Sequence, residues 1–304
     1  MKRNLLVGIL LAALSSLLWS GNYILARGFH EDISPVSLAF FRWFTATLCI
    51  LPFTINSIFS QIKYWVRHLP HLFTAALTGV ALFNTLIYIA GKSTSAINLA
   101  LIGTTAAPVF VLLITAFYLK EKIRKEQVVG TMVCIFGIVL LLTKGNIQAL
   151  AQLKLSPGDL WMIVAGFIFA IYTLLVKKKP ALLSPVTYLG LLFLIGTLLL
   201  FPAYLVDIQF SKSFVWNTEI LFVFLYLGIG ASVLAFLFWN LSIARIGPSR
   251  TTLFTTLIPV FSTIEAIWFL NEPFTWFVLS SLVLVLTGLF IANLQIVKAM
   301  RFNN

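Results

Sequence analysis

The sequence predicts an all-α polytopic membrane protein, and three observations lead to that fold class. Hydrophobic residues make up 60% of the 304-residue chain and charged residues only 10%, whereas a soluble domain has about 45–50% and about 25%. The mean hydropathy is +1.02, and a soluble fold of this composition would expose large apolar patches. The apolar residues form long continuous runs, which favours spanning helices over the alternating strands of a β-barrel.

Ten spanning helices fit the length of the chain. Each needs roughly 20 apolar residues, so ten use about 200 residues and leave no room for a folded soluble domain. Charged residues, prolines and glycines separate the apolar runs, and each helix is placed between two such interruptions. The predicted helices are, in order, 5–26, 34–56, 70–91, 97–119, 126–143, 157–176, 184–206, 219–240, 248–270 and 275–297.

The interruptions justify these helices one after another. The first five helices are bounded, in order, by Met1-Lys2-Arg3, Arg27, Lys63, Gly91-Lys92, Lys120–Lys125 and Lys144. The second five are bounded by Pro157, Lys177–Lys179, Asp207, Arg245–Pro248, Asn271-Glu272 and Lys298. Cys49 and Cys134 lie inside apolar runs, so no disulfide framework is indicated.

The basic residues predict the orientation of the chain. Alternate sides of the ten-helix arrangement carry 15 and 5 Lys and Arg residues, and Arg42 lies inside the second helix. The richer side holds Lys2, Arg3, Lys63, Arg67, Lys120, Lys122, Arg124, Lys125, Lys177, Lys178, Lys179, Arg245, Arg250, Lys298 and Arg301. Because cytoplasmic loops collect Lys and Arg, we expect an inner (cytoplasmic) membrane protein with both termini in the cytoplasm. The net charge of +12 therefore indicates orientation and not nucleic-acid binding.

The chain repeats itself at half its length. Residues 33–37 (ISPVS) match residues 183–187 (LSPVT), and residues 108–110 match residues 259–261 (both PVF). Glu121 and Gly137 match Glu272 and Gly288 in the same way. We therefore predict two five-helix repeats, 1–150 and 151–304. Five is an odd number, so the second repeat enters the membrane from the opposite face, an inverted arrangement typical of secondary transporters.

The doubled motifs resemble the drug/metabolite transporter superfamily, in its ten-helix EamA-type family. The motifs are Ala107–Phe110 with Glu121 and Ile258–Phe261 with Glu272, and residues 17–22 and 41–44 resemble that family's first and second helices. The resemblance covers essentially the whole chain. It implies a polytopic inner-membrane transporter, often an exporter of amino acids or other small metabolites. The second half departs from this pattern, because an apolar stretch around Leu192 stands where the first half has Arg42.

Two ionisable residues are the main candidates for chemistry within the membrane, where such groups are costly. Arg42 lies inside the second helix, and its guanidinium suits a substrate carboxylate or phosphate; the alternative is a structural Arg that bonds backbone carbonyls. Glu265 lies more than one turn inside the ninth helix, and Ile114 occupies the matching position of the first half. Glu265 could couple transport to protons or bind a cationic substrate. The alternatives are an interfacial acid and a structural ion pair.

Polar and aromatic side chains on the predicted inner helix faces complete the candidate substrate site. These residues are Trp19, Asn22, Tyr23, Asn84, Tyr88, Tyr172, Trp239 and Thr255. Together they could line a cavity near the middle of the membrane, with aromatic walls and a few hydrogen-bonding groups. A zwitterion would suit Arg42 with Glu265, and an amine would suit Glu265 with the aromatic rings. The alternative role for each aromatic is a place in the interfacial belt.

Pro108 and Pro259 interrupt helices at matching positions. Each removes one backbone hydrogen bond, so we predict that they act as hinges and not as passive kinks. Glu121 and Glu272 follow these helices and are assigned a structural role at the start of the next one.

We thus predict a secondary active transporter, an exporter of a small polar metabolite such as an amino acid or amine, that works by alternating access and is coupled to protons. The alternative is a facilitative exchanger or channel-like permease without proton coupling. An enzyme is not indicated, because the sequence has no metal-ligand motif, no clustered carboxylates and no phosphate-binding loop. We expect no cofactor or metal. The expected partners are a small-molecule substrate and the lipid bilayer, without nucleic acid, and the protein is expected to be a monomer or homodimer.

Overall fold

The computed structural model describes residues 2–28, 33–94, 96–120, 122–146, 148, 156–211, 216–270 and 275–294, and contains no strand among them. The first five long helices are α1 (Lys2–Gly28), α2 (Pro35–Ser60), α3 (Leu69–Gly91), α4 (Ala96–Leu113, followed by the π-helical turn Ile114–Tyr118) and α5 (Lys125–Thr143). The next five are α6 (Pro157–Lys177), α7 (Pro185–Phe210), α8 (Thr218–Ile246), α9 (Pro248–Leu253, Phe254–Thr256 and Leu257–Leu270) and α10 (Trp276–Ala292). A short helix, Ile62–Arg67, connects α2 to α3.

Helix ends differ from the predicted boundaries where capping residues act. The hydroxyl of Ser34 accepts a hydrogen bond from the Ser37 amide at the start of α2, and Ser184 accepts one from the Thr187 amide at the start of α7. Helix α8 runs to Ile246, beyond the predicted end at 240, because the residue that terminates it is Gly247, with φ of 82°. Helices α2 and α7 likewise extend past 56 and 206, to Ser60 and Phe210.

Six helices of the described chain, α1, α2, α3, α6, α7 and α8, are long and apolar enough to cross a membrane. Shorter apolar stretches lie in α4 and α10, at Ile102–Tyr118 and Trp276–Ala292. The burial pattern of α1 is that of a helix in lipid. Leu10 is 61% exposed, whereas Ser15, Ser16 and Ser20 are fully buried. Leucine therefore faces the outside and small polar side chains face the neighbouring helices, as expected for membrane helix packing.

The helices pack in matching pairs between the two halves of the chain. Helix α1 packs against α8 and α9, and correspondingly α6 packs against α3 and α4. Helix α2 contacts α8, as α7 contacts α3. The remaining large contacts join α2 to α7 and α5 to α10. Each contact thus has a counterpart when the first five helices are exchanged for the last five.

Two of these contacts join residues at equivalent positions of the two halves. The hydroxyls of Thr47 on α2 and Thr197 on α7 lie 2.9 Å apart. Nearer the start of α2, Phe40 stacks on Tyr204 with ring centroids 4.4 Å apart, so the two helices run antiparallel. Between α5 and α10, Cys134 donates to the carbonyl of Val285.

Candidate functional site

Arg42 is the centre of a buried polar network that joins four helices. Its side chain is fully buried on α2. The guanidinium donates from Nε to Ser232 Oγ at 2.7 Å on α8 and from Nη2 to the carbonyl of Ala231 at 2.8 Å. Its Nη1 contacts Asn22 Oδ1 on α1 at 3.0 Å and Asn84 Oδ1 on α3 at 2.9 Å. Tyr88 Oη on α3 is also 3.0 Å from Nη1.

Every hydrogen-bond acceptor of Arg42 within the described chain is a neutral oxygen. An ionised group in a low-dielectric interior is costly unless its charge is compensated. Five hydrogen bonds reduce this cost, but they do not neutralise the charge. The network can therefore accommodate an anionic group that binds beside it.

A change of helix geometry supplies one of these acceptors. Helix α8 widens to a π-helix over Tyr226–Leu234. Such a segment interrupts the regular backbone hydrogen bonds and is frequent at functional sites. Within it, the carbonyl of Ala231 accepts from both Arg42 Nη2 and Trp19 Nε1, the latter at 2.9 Å. Helix α3 has the corresponding wide segment at Leu77–Leu82.

A small cavity lies against this network, between α1, α3, α4, α6 and α9. Its volume is about 20 Å³, which is room for about one water molecule. Trp19, Asn22, Asn84 and Thr255 line it, together with apolar side chains that include Phe169. The site is therefore closed in this conformation, and a metabolite would need the helices to separate.

Aromatic rings form one wall of the cavity. Trp19 lies 4.9 Å from Trp239, 5.4 Å from Phe236 and 5.7 Å from Phe169, measured between ring centroids. Tyr172 lies behind this wall, 5.6 Å from Phe169, and donates to Asn240 Oδ1 at 2.8 Å. Of these rings, Trp19 and Phe169 line the cavity itself, and aromatic rings attract organic cations.

Three buried N–H groups near the cavity have no hydrogen-bond partner among the residues that the structure describes. They are Asn84 Nδ2, Trp239 Nε1 and Asn240 Nδ2. A buried donor without an acceptor is uncommon and costs free energy. Asn84 is the most informative, because it lines the cavity and its Oδ1 is already bonded to Arg42. Its free amide can therefore donate to a ligand.

Glu265 lies on α9, partly buried, at a separate contact with α1. Its Oε1 accepts a hydrogen bond from Ser20 Oγ at 2.6 Å. Tyr226 packs beside the same turn of α1 and donates to the carbonyl of Leu18 at 2.8 Å. Glu265 is absent from the residues that line the small cavity and does not bond to Arg42. The predicted Arg42–Glu265 pair is thus two neighbouring sites in this conformation.

The remaining predicted site residues divide into three groups. Thr255 donates to the carbonyl of Thr104 at 2.8 Å and thereby ties α9 to α4 beside the cavity. Pro108 and Pro259 lie inside the helical segments Ala96–Leu113 and Leu257–Leu270. The side chain of Tyr23 and all of Glu121 and Glu272 lie outside the described residues.

Sequence reasoning missed several contributors to the site, among them Phe83, Ile87 and Gly103 of the cavity lining. The carbonyl of Ala231 carries no sequence signal, because any residue type provides a carbonyl. Asn240 could have been found, since it is an amide beside Trp239 in an apolar run. Within the described residues, no group of three or more His, Cys, Asp or Glu side chains could hold a metal ion.

Comparison with known proteins identifies the family of this membrane protein. The profile of the EamA-like transporter family matches residues 6–143 and again residues 156–294. The chain belongs to the EamA-like transporter family. This membership confirms the resemblance found in the sequence and identifies a multi-pass, all-helical membrane protein that is a transporter and not an enzyme.

Curated EamA-like relatives are named as transporters. An "Uncharacterized transporter" of Archaeoglobus fulgidus is 29% identical over 292 residues, covering 93% of this chain and 96% of that protein. An "S-adenosylmethionine uptake transporter" of Rickettsia bellii is 24% identical, and the alignment covers 88% of this chain and 86% of that protein. A "Probable amino-acid metabolite efflux pump" of Salmonella typhimurium is 28% identical, and the alignment covers 64% of this chain and 66% of that protein.

A solved crystal structure supports the fold. It superposes with a TM-score of 0.76, covers 98% of this chain and 99% of the solved chain, and shares 19% sequence identity. At this identity the likeness shows the fold alone and gives no information about the substrate.

Proposed function

We propose that this membrane transporter of small metabolites is a secondary active exporter of an amino acid or amine, works by alternating access, and couples transport to protons through Glu265. One observation carries the proposal. A fully buried Arg42, whose hydrogen-bond acceptors in the described chain are all neutral, lies beside a small cavity that helices of both halves surround.

The proposed mechanism rests on two equivalent halves, 1–150 and 151–304. The family profile matches the chain twice, and the helix contacts of one half recur in the other. Thr47 meets its own counterpart Thr197 across α2 and α7. Such self-matching contacts are expected on the two-fold axis that relates two repeats. The antiparallel course of α2 and α7 fits an axis in the membrane plane, as in inverted-repeat transporters.

Alternating access would rock the two halves about the central cavity. A volume of about 20 Å³ excludes a metabolite, so the described conformation corresponds to a closed intermediate. Pro108 and Pro259 are the proposed hinges, since each lacks a backbone donor and lies in a helix, α4 or α9, that borders the cavity.

The donors and rings of the site suit a zwitterion that carries a carboxylate and an amine. Arg42 and the free Asn84 amide would bind the carboxylate. Trp19, against which Trp239 packs, would face the cationic end, with Asn22, Tyr88 and Tyr172 positioning these groups and Thr255 completing the lining. The names of two relatives refer to an amino-acid metabolite and to S-adenosylmethionine, and the latter also contains an amino-acid group. One of these names states efflux and the other uptake, so the relatives do not determine the direction of transport. Export is therefore our own proposal, made from the sequence.

Glu265 is the proposed proton carrier because its carboxylate is partly buried on α9 and accepts a hydrogen bond from Ser20 on α1. Protonation would break or reverse this hydrogen bond between α9 and α1, which border the cavity. A single proton can therefore alter a contact between the halves.

The test begins with ligand identification. Purified protein in detergent is heated with a panel of amino acids, amines and S-adenosylmethionine, since a ligand of the folded state raises the unfolding temperature. The stabilising compound is then used in liposomes with a pH gradient. We expect Glu265→Gln to lose gradient-driven accumulation and to keep counterflow exchange. The control is Glu219→Gln, which removes an exposed carboxylate in the first turn of α8 and should transport normally. Full gradient-driven accumulation by Glu265→Gln would disprove the coupling role.

A facilitative exchanger or channel-like permease is the second candidate. The separation of Glu265 from the cavity lining favours it, because a carboxylate outside the cavity need not sense the substrate. Substrate accumulation that does not depend on the pH gradient, together with saturable counterflow, would support the exchanger. Flux that neither saturates nor shows counterflow would support the channel-like permease.

A further inference from the structure

A second, larger cavity lies away from the central site, between the ends of α4 and α6. Its volume is about 260 Å³, and isoleucine, leucine and tyrosine side chains form most of its lining, with Lys177 and Lys178 at one end. It shares no lining residue with the central cavity. The cavity is therefore an amphipathic site with an apolar body and a cationic end.

The geometry of α4 creates this cavity. The last turn of α4, Ile114–Tyr118, is a π-helix, and the chain then leaves it through Lys120 in the left-handed region, with φ of 53°. The cavity is lined by residues from this turn of α4 and from the end of α6. On the same turn, Phe117 and Tyr118 are 78% and 82% exposed. In a membrane protein, exposed aromatic side chains beside an apolar cleft face lipid, so the cleft opens toward the bilayer.

The cationic end belongs to a larger basic surface. Four basic residues after α4 and at the start of α5 are exposed, namely Lys120, Lys122, Arg124 and Lys125. The sequence of this stretch also contains the acids Glu121 and Glu126. Lys177 and Lys178 end α6. The next residue, Lys179, does not line the cleft, and its ammonium donates to the carbonyls of Pro180 and Leu183. Burial also lowers the pKa of Lys179.

We propose that this cleft, defined by Ile114, Tyr118, Ile171, Leu174, Lys177 and Lys178, binds an anionic phospholipid. One acyl chain would occupy the apolar body between α4 and α6, and the phosphate would lie at Lys177 and Lys178. Charge complementarity selects this occupant, because basic pockets between spanning helices bind anionic headgroups. A zwitterionic lipid would fill the same apolar volume without the attraction to the lysines. A soluble anion would meet the lysines but leave the apolar volume empty.

The experiment measures lipid binding to the purified full-length protein by native mass spectrometry. Palmitoyl-oleoyl phosphatidylglycerol is compared with phosphatidylcholine of the same acyl chains and with sn-glycerol 3-phosphate. We expect the protein to retain phosphatidylglycerol at least tenfold more tightly than phosphatidylcholine and not to retain glycerol phosphate. The double variant Lys177→Gln, Lys178→Gln should bind phosphatidylglycerol roughly 10- to 30-fold more weakly, given the attraction of each basic side chain to an anionic lipid surface.

The matched control is Lys63→Gln, Arg67→Gln. It removes the same two charges from exposed positions on the short helix Ile62–Arg67, away from the cleft, and should leave binding unchanged. Leu174→Trp fills the apolar body and keeps both lysines, so it should weaken phosphatidylglycerol retention. Leu174→Phe replaces it if the tryptophan variant does not fold. Equal losses in the two charge variants, equal retention of the two lipids, or unchanged binding by the filled variants would each overturn the proposal.

Discussion

The hydrogen bonds of Arg42 explain how one buried charge can be stabilised in the closed site and can also bind a carboxylate. In the closed conformation its five donor contacts are all to neutral oxygens, two of which belong to Asn22 and Asn84. Both asparagines line the cavity. An arriving carboxylate can therefore replace them at Nη1 without moving the bonds to Ser232 and Ala231. A purely structural Arg would have no need of partners that also face the cavity.

This argument predicts that Arg42→Gln selectively impairs ligands with a carboxylate. Charge-assisted hydrogen bonds contribute about 1.5–3 kcal/mol each, so the dissociation constant of an amino acid should rise about 10- to 100-fold. The decarboxylated amine of the same ligand should bind the variant and the parent protein about equally. The measurement is the ligand concentration dependence of thermal stabilisation, with exposed Arg67→Gln as control. An equal loss of both ligands would indicate that Arg42 is only structural.

At the residue scale, the sequence revealed several site residues through polar side chains within apolar runs, although Asn240 was missed. Arg42, Asn22, Asn84 and Tyr88 were all selected on that ground, and they contact one another. The link between Arg42 and Glu265 was not recoverable in the same way. Both residues were identified, but which turn of α9 meets α1 depends on tertiary packing, and Glu265 bonds to Ser20.

At the element scale, the π-helical segments of α3 and α8 differ in which groups bond to their backbone carbonyls. In α3, the carbonyl of Ala81 accepts from Thr85 of its own helix at 2.6 Å. In α8, the equivalent carbonyl of Ala231 accepts from Trp19 and Arg42 of other helices. The difference follows from Arg42, which the second half replaces with apolar residues. Continuous apolar runs predicted these helices but not their π-helical segments, because the widening depends on contacts between helices.

Glycine allows helices α5 and α10 to pack closely against each other. A Cβ added to Gly288 would lie 2.6 Å from Cys134 Sγ and 2.7 Å from the Gly130 carbonyl. Gly288→Ala should therefore separate the two helices and destabilise the protein by about 1–3 kcal/mol, as overpacking does. Gly91→Ala is the matched control, since a Cβ there meets open space. Thermal unfolding in detergent compares the two, and equal unfolding temperatures would contradict close packing of α5 and α10.

At the scale of the whole molecule, the match between residues 33–37 and 183–187 corresponds to a real structural equivalence at the helix starts. Ser34 and Ser184 cap α2 and α7 in the same way. The sequence could reveal this because the caps depend on short local motifs. It could not reveal how tightly the halves close on the cavity, since that depends on the summed packing of Trp19, Phe169 and their neighbours.

The same two-half arrangement makes a prediction about the membrane orientation of the ends. An even number of spans with 15 basic residues on one side and 5 on the other places both termini in the cytoplasm. Fusions test this directly. A fluorescent protein attached after residue 304 should fold and fluoresce, whereas alkaline phosphatase there should be inactive. Alkaline phosphatase inserted at Lys212, in the loop after α7 on the opposite predicted side, should be active. Active phosphatase at the C-terminus would mean an odd number of spans or the reverse orientation, and either result would be incompatible with two complete inverted halves inserted in the predicted direction.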